Sequence, residues 1–225
     1  MIVIKRILPT MLALAFVLFG CAWWQRPPLP GASPERLYQR GYEDYQKGRY
    51  ERAIEAFQRL KEEYPLSKLA ILAELGIADA YFSDGEYGEA EAYYSDFINL
   101  HPTNENLPYA LYQLGMCHYK QMPSIDRDQT ETLKAKKEFE ALLTRFPSSK
   151  FAFLAEKMLR ECKRKLAEHE FYVGEFYFRQ KQYTAALKRF EGIARQYQDV
   201  GLDYKVNYFI SETKRRLAQQ EPTKK

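Results

Sequence analysis

The chain has few of the residues from which metal centres are built, and it has no catalytic fingerprint. Its three histidines, His101, His118 and His169, stand apart, with no zinc-ligand spacing around any of them. His118 follows Cys117 directly, but neighbours on a helix point about 100° apart and do not converge on one ion. A buried helix position is the expected reading of that pair. Gly-x-Ser-x-Gly, the P-loop and the dinucleotide fingerprint are all missing. These absences predict a chain with no metal, no cofactor and no catalytic residues. Charge of one sign is lacking as well. Once Lys5 and Arg6 are set aside with the N-terminal segment, 32 basic residues face 30 acidic ones, a net charge of +2. A nucleic-acid partner, which calls for a basic face, is therefore not expected. Cysteine is scarce: Cys21, Cys117 and Cys162. Cys117 and Cys162 lie within apolar helical patterns far apart in sequence, so they read as buried apolar residues rather than a disulfide.

A long apolar run is missing too. Residues 7 to 19 are almost wholly apolar, opened by Lys5 and Arg6, but fall short of the ~20 residues that span a bilayer. A basic start, a short apolar middle and small residues before a cut describe a secretory signal. An uncleaved anchor is the alternative, and the length rule disfavours it. Leu18-Phe19-Gly20-Cys21 resembles the bacterial lipobox, which implies cleavage before Cys21 and acylation of its thiol. Several acyl chains, each contributing ~0.8 kcal/mol per buried CH₂, make a stable membrane anchor. Ala22 follows where aspartate would commonly retain such lipoproteins in the inner membrane. The resemblance thus implies the periplasmic face of the outer membrane. Residues 1–20 are read as signal peptide and 21–34 as acylated cysteine and linker. Pro27, Pro28 and Pro30 make that linker a semi-rigid spacer.

From residue 35 to 219 a repeat takes over. Gly41, Ala53, Phe57 and Pro65 are spaced by twelve, four and eight residues, and Ala78, Ala90, Tyr94 and Pro102 keep the same spacing. Gly174, Ala186 and Phe190 begin another copy. Gly115, Ala135, Phe139 and Pro147 form one more, stretched by an insertion at 120–130. A small residue on a first helix, Ala and an aromatic on a second, then Pro, resembles the tetratricopeptide repeat. The fold class expected is all-α: about four to five antiparallel helix pairs stacked into a right-handed superhelical solenoid. Small residues let Gly41 or Ala78 face Ala53 or Ala90, and Gly48 and Gly85 suit the left-handed residue after a helix. Residues 149–168 form an amphipathic helix that replaces a degenerate repeat helix or runs into the next one. Asp203 to Gln219 read as a capping helix, and 220–225 as a polar tail.

In this repeat class the inner face is lined by fixed positions of each first helix. One carries Tyr38, Leu75, Tyr112 and Phe171; another, seven residues on, carries Tyr45, Phe82, Tyr119 and Phe178. Tyr42 occupies a neighbouring position. A column of rings suits an extended peptide, since flat rings give large contact area at low entropic cost; packing between repeats is the competing use of each ring.

Longer stretches carry a second resemblance. Asn99-Leu100-His101-Pro102-Thr103 with Leu107 to Tyr112, the triplet Asp126-Arg127-Asp128, Phe146-Pro147-Ser148-Ser149-Lys150, and Leu166 to Glu170 with Val173, Glu175, Phe176 and Tyr177 are similar to the BamD family. Those lipoproteins belong to the outer-membrane β-barrel assembly machinery. The resemblance implies binding to the periplasmic domains of a BamA-like barrel subunit, to unfolded outer-membrane proteins, and to other lipoproteins of that complex. It places the client groove at Tyr38, Tyr42, Tyr45, Leu75, Phe82, Tyr112 and Tyr119. It places partner contacts at Phe171, Phe178, Tyr204, Lys205 and Arg215. The alternative is another exported repeat lipoprotein that organises cell-envelope or peptidoglycan machinery.

Overall fold

A computed structural model describes residues 32–220, so Cys21, the signal segment, most of the linker and the last five residues lie outside the described part. Among the described residues there are nine helices and no strand. In chain order they are α1 (Pro34–Gln46), α2 (Tyr50–Glu63), α3 (Lys68–Asp84), α4 (Tyr87–Leu100), α5 (Leu107–Lys120), α6 (Thr130–Arg145), α7 (Lys150–Arg179), α8 (Tyr183–Gln196) and α9 (Asp203–Gln220). Serine starts three of them. Ser33, Ser67 and Ser149 accept hydrogen bonds from the amides of Arg36, Leu69 and Phe151, which satisfies donors that a helix start leaves open. Within the first two helix pairs the crossing turns on glycine: Gly48 and Gly85 adopt φ of 68° and 89°. A β-carbon disfavours that conformation. Between α7 and α8 the same turn is made by Lys181, at φ 58°.

Each helix packs against its neighbours in sequence, and α1 also meets α3, as α5 meets α7. The core is accordingly divided into four buried clusters along the array, as expected where no single unit can bury its own apolar face. The glycines set the approach of the paired helices. A Cβ on Gly41 would lie 2.6 Å from the Phe57 ring, and one on Gly76, in the next pair, 2.7 Å from the ring's other edge. Gly115 meets Phe139, and Gly174 meets Phe190, in the same way. The glycine of a first helix therefore makes room for the aromatic of the second.

Helix α7 is continuous over 30 residues, about 45 Å at the usual rise. The amphipathic segment runs on into the next first helix without a break. Its N-terminal half packs on α6 and its C-terminal half on α8. The segment between α5 and α6 is held by side chains. Gln129 donates to the Ser124 and Arg127 carbonyls at 2.8 and 2.9 Å, and a ring nitrogen of His169 on α7 lies 2.6 Å from the Ile125 carbonyl oxygen. Cys117 and Cys162 are buried and unpaired, and burial pushes both thiols up to about 12. No described helix is long and apolar enough to cross a membrane.

Candidate functional site

The first helices of successive pairs, α1, α3 and α5, together with the start of α7, enclose a groove of about 500 Å³. Tyr38, Tyr42 and Tyr45 line it from α1, and Leu72, Leu75, Gly76 and Asp79 from α3. Tyr109 of α5 and Phe151 of α7 close the far side, and Glu105, Asn106 and Lys150 stand at its border. The walls are anchored from behind. Tyr38 packs on Phe57 with ring centroids 5.7 Å apart, the Tyr45 hydroxyl lies 3.0 Å from the Ser83 hydroxyl, and Phe151 packs on Tyr109 at 5.4 Å. Tyr42 is held least, being half-exposed.

Asp79 is the one acid among the lining residues of α3. Its Oδ1 accepts hydrogen bonds from the Tyr94 hydroxyl and, at 2.6 Å, from the Tyr109 hydroxyl. Burial raises the Asp79 pKa above the ordinary aspartate value, and the two hydroxyl donors offset part of that rise. Burial and the adjoining carboxylate push the Tyr94 and Tyr109 phenols upward, so both remain donors. The result is an aromatic trough with a hydrogen-bonded carboxylate in its floor and one lysine at its rim.

Tyr38, Tyr42, Tyr45 and Leu75 thus come together, although Leu75 is buried and offers little surface. Phe82, Tyr112 and Tyr119 do not line this groove. Phe82 packs edge-on against Tyr87, Tyr112 stacks behind Phe151 at 5.9 Å, and Tyr119 joins the cluster beneath α7. Toward the C-terminus, Phe171 is buried against Phe190 and Phe209, and Phe178 packs between Tyr183 and Phe209. These rings build the core, so the continuous aromatic column expected from spacing is interrupted after its first segment. Tyr204 is almost fully exposed; Lys205 lies over the Phe171 ring at 4.0 Å, and Arg215 pairs with Glu212 at 2.7 Å. Asp79, Tyr109, Lys150 and Phe151 were not among the expected groove residues. Asp79 carries a readable signal, an acid between Ala78 and Ala80 in an apolar helix. Phe151 carries none, because only the stacking of α7 brings it there.

The class defined by this arrangement is an all-α scaffold of tetratricopeptide-type helix pairs, with an aromatic groove on the face formed by its first helices. The chain belongs to the YfiO family, described as outer membrane lipoprotein, which matches residues 30–225. It is 29% identical over 222 residues to a Rickettsia prowazekii protein named outer membrane protein assembly factor BamD, covering 99% of this chain and 88% of that one. A Vibrio cholerae protein of the same name is 29% identical over 200 residues, covering 84% and 82%. Among solved structures, the TPR2AB domain of yeast Sti1 in complex with pHSP90 is similar over 82% of this chain and 70% of that one, at 16% identity and a TM-score of 0.48.

Proposed function

We propose that this protein is a lipid-anchored subunit of the outer-membrane β-barrel assembly machinery, tethered through Cys21 at the periplasmic face. Its N-terminal groove receives an extended, aromatic-rich segment of an unfolded outer-membrane protein. Its C-terminal helices hold the periplasmic domains of a BamA-like subunit, with Tyr204 and Tyr208 as exposed rings on that end. The observation that carries the reading is the groove itself: three tyrosines of α1 line a trough of about 500 Å³ together with Tyr109 and Phe151. Rings held from behind present contact area without further ordering cost, which is what peptide capture requires. Asp79 and Lys150 give the trough fixed polar points that orient a backbone or a terminal group. The relatives named as assembly factors support the same role.

The groove is tested by anisotropy, using a labelled peptide taken from the C-terminal strand of an outer-membrane barrel. Tyr42→Ala with Tyr45→Ala weakens binding about tenfold, a change of ~1.4 kcal/mol. Tyr172→Ala, an exposed ring outside the groove, leaves the affinity as it was. Equal affinities for all variants, with helical signal intact, would reject the groove. The anchor is read separately: labelled palmitate is incorporated into the parent protein and not into Cys21→Ala, which keeps its uncut leader.

A further inference from the structure

One group of ligating side chains among the described residues lies away from the groove. Glu91 of α4, His118 of α5 and Glu131 of α6 each present one donor atom, and the three atoms lie within 4.8 Å of one another. His118 Nδ1 is 2.8 Å from Glu131 Oε2 and 3.6 Å from Glu91 Oε2. The imidazole is 4% exposed, so its nitrogen is aimed and held by packing rather than by solvent. Both carboxylates are more open, with side-chain exposures of 35% for Glu91 and 27% for Glu131, which leaves a path for an ion to enter. The other oxygen of Glu131 is 3.0 Å from Lys134 Nζ, and that lysine is itself half-exposed. Its ion pair orients Glu131 without occupying the oxygen that faces His118.

We propose that Glu91, His118 and Glu131 bind a divalent transition-metal ion of the zinc type. Three protein ligands leave the fourth position to water, and the ion ties the second helix pair to the third across the insertion. The donor set fits that class. One imidazole nitrogen and two carboxylate oxygens suit zinc, whose ligands lie at about 2.0–2.2 Å. Tetrahedral ligands at that distance sit roughly 3.3–3.6 Å apart. The His118–Glu131 spacing of 2.8 Å falls below that range and the His118–Glu91 spacing of 3.6 Å lies at its upper edge, so Glu131 must draw back to admit the ion. Calcium and magnesium are disfavoured, because they take oxygen donors and gain nothing from Nδ1. Without metal, His118 Nδ1 and Glu131 Oε2 lie at hydrogen-bond distance; zinc takes the place of that contact and recruits Glu91 as well. His118 and Glu131 flank the segment between α5 and α6, so binding closes that segment, and Glu91 links it to α4. Sequence spacing did not show the site because the three ligands come from three helices and contain no local zinc motif.

The test uses the full lipoprotein in detergent after chelator treatment. Zinc is titrated by calorimetry, and cobalt serves as an absorbance reporter of tetrahedral coordination. One equivalent of zinc binds and raises Tm, cobalt gives visible ligand-field bands, and calcium does not compete. Glu91→Gln, a change at a solvent-reached position, lowers zinc affinity by about 10–100-fold or more and weakens the cobalt bands. Glu131→Gln does the same, whereas His101→Gln, at the separate His101–Glu74 pair, has no effect. Failure of zinc to bind stoichiometrically would overturn the proposal, as would unchanged affinity in both glutamine variants. Loss of binding in His118→Gln alone, with Glu91→Gln unaffected, would also overturn the three-ligand site.

Discussion

A missing β-carbon decides how closely these helices approach. The Phe57 ring touches Gly41 on one side and Gly76 on the other, so one side chain fastens its own helix pair to the next. Overpacking at such a contact costs about 1–3 kcal/mol. Asp79 shows the opposite kind of residue, a polar group placed where burial works against its charge. Its folded pKa is raised, so the native state holds the proton more tightly than the unfolded chain does. Stability therefore falls as pH rises from the ordinary aspartate value through the raised folded value, and the penalty is fully present above that window. Asp79→Asn keeps an Oδ1 that can accept from both Tyr94 and Tyr109 but carries no charge. Urea titrations across pH 3 to 7 are expected to show the variant matching the parent near the acid end, about pH 3–4, and exceeding it at neutral pH. A parallel pair of profiles would show that Asp79 bears no burial penalty. Asp79→Ala strands the buried Tyr94 hydroxyl, while Tyr109 keeps its contact with Gln113, and costs about 1–3 kcal/mol at any pH in that range.

At the scale of the helix, the turn between partners repeats with one change of residue. Gly48 and Gly85 donate to the Tyr45 and Phe82 carbonyls, and Lys181 donates to Phe178 in the same place. Lysine at φ 58° bears a steric cost that glycine does not. Lys181→Gly is expected to stabilise the protein by about 0.5–1 kcal/mol, net of glycine's larger entropy loss. Gly85→Ala, at a position open to solvent, destabilises it by a similar amount. Thermal melts of the two variants check both signs. The helix pairs were legible in the sequence because the constraint that makes them is local: a small residue, a ring twelve plus four positions on, and a proline that ends the helix. The groove was legible in its first helix and at Leu75 of α3. Tyr38, Tyr42 and Tyr45 share one face of α1, which period alone reveals. Whether a ring further along the array faces the trough or the core depends on the lateral stacking of helices. Spacing carries no record of that, so Phe171, at the same repeat position as Tyr38, is buried and Tyr112 stacks on Phe151, while Phe151 itself lines the groove.

For the molecule as a whole, division into four clusters has a mechanical consequence. Each cluster rests on its neighbours, so loosening one end need not disturb the other. At the C-terminal end, α9 packs through buried Val206 and through Phe209, whose ring lies 5.1 Å from Phe171, 5.5 Å from Phe178 and 5.2 Å from Phe190. Phe209→Ala removes all three contacts and is expected to cost about 3 kcal/mol. The loss stays local because α9 packs on α8 and the groove lies among α1, α3, α5 and the start of α7. Native-state hydrogen exchange should show faster exchange in α8, α9 and the second half of α7. Amides of α1 to α4 should keep the parent's protection. The same variant should bind the strand peptide with unchanged affinity yet retain less of a barrel subunit in pull-downs from detergent-solubilised membranes, since its C-terminal surface is no longer held in one shape. If peptide affinity fell together with C-terminal protection, the array would be melting as one unit, and the assignment of client and barrel subunit to separate ends would be wrong.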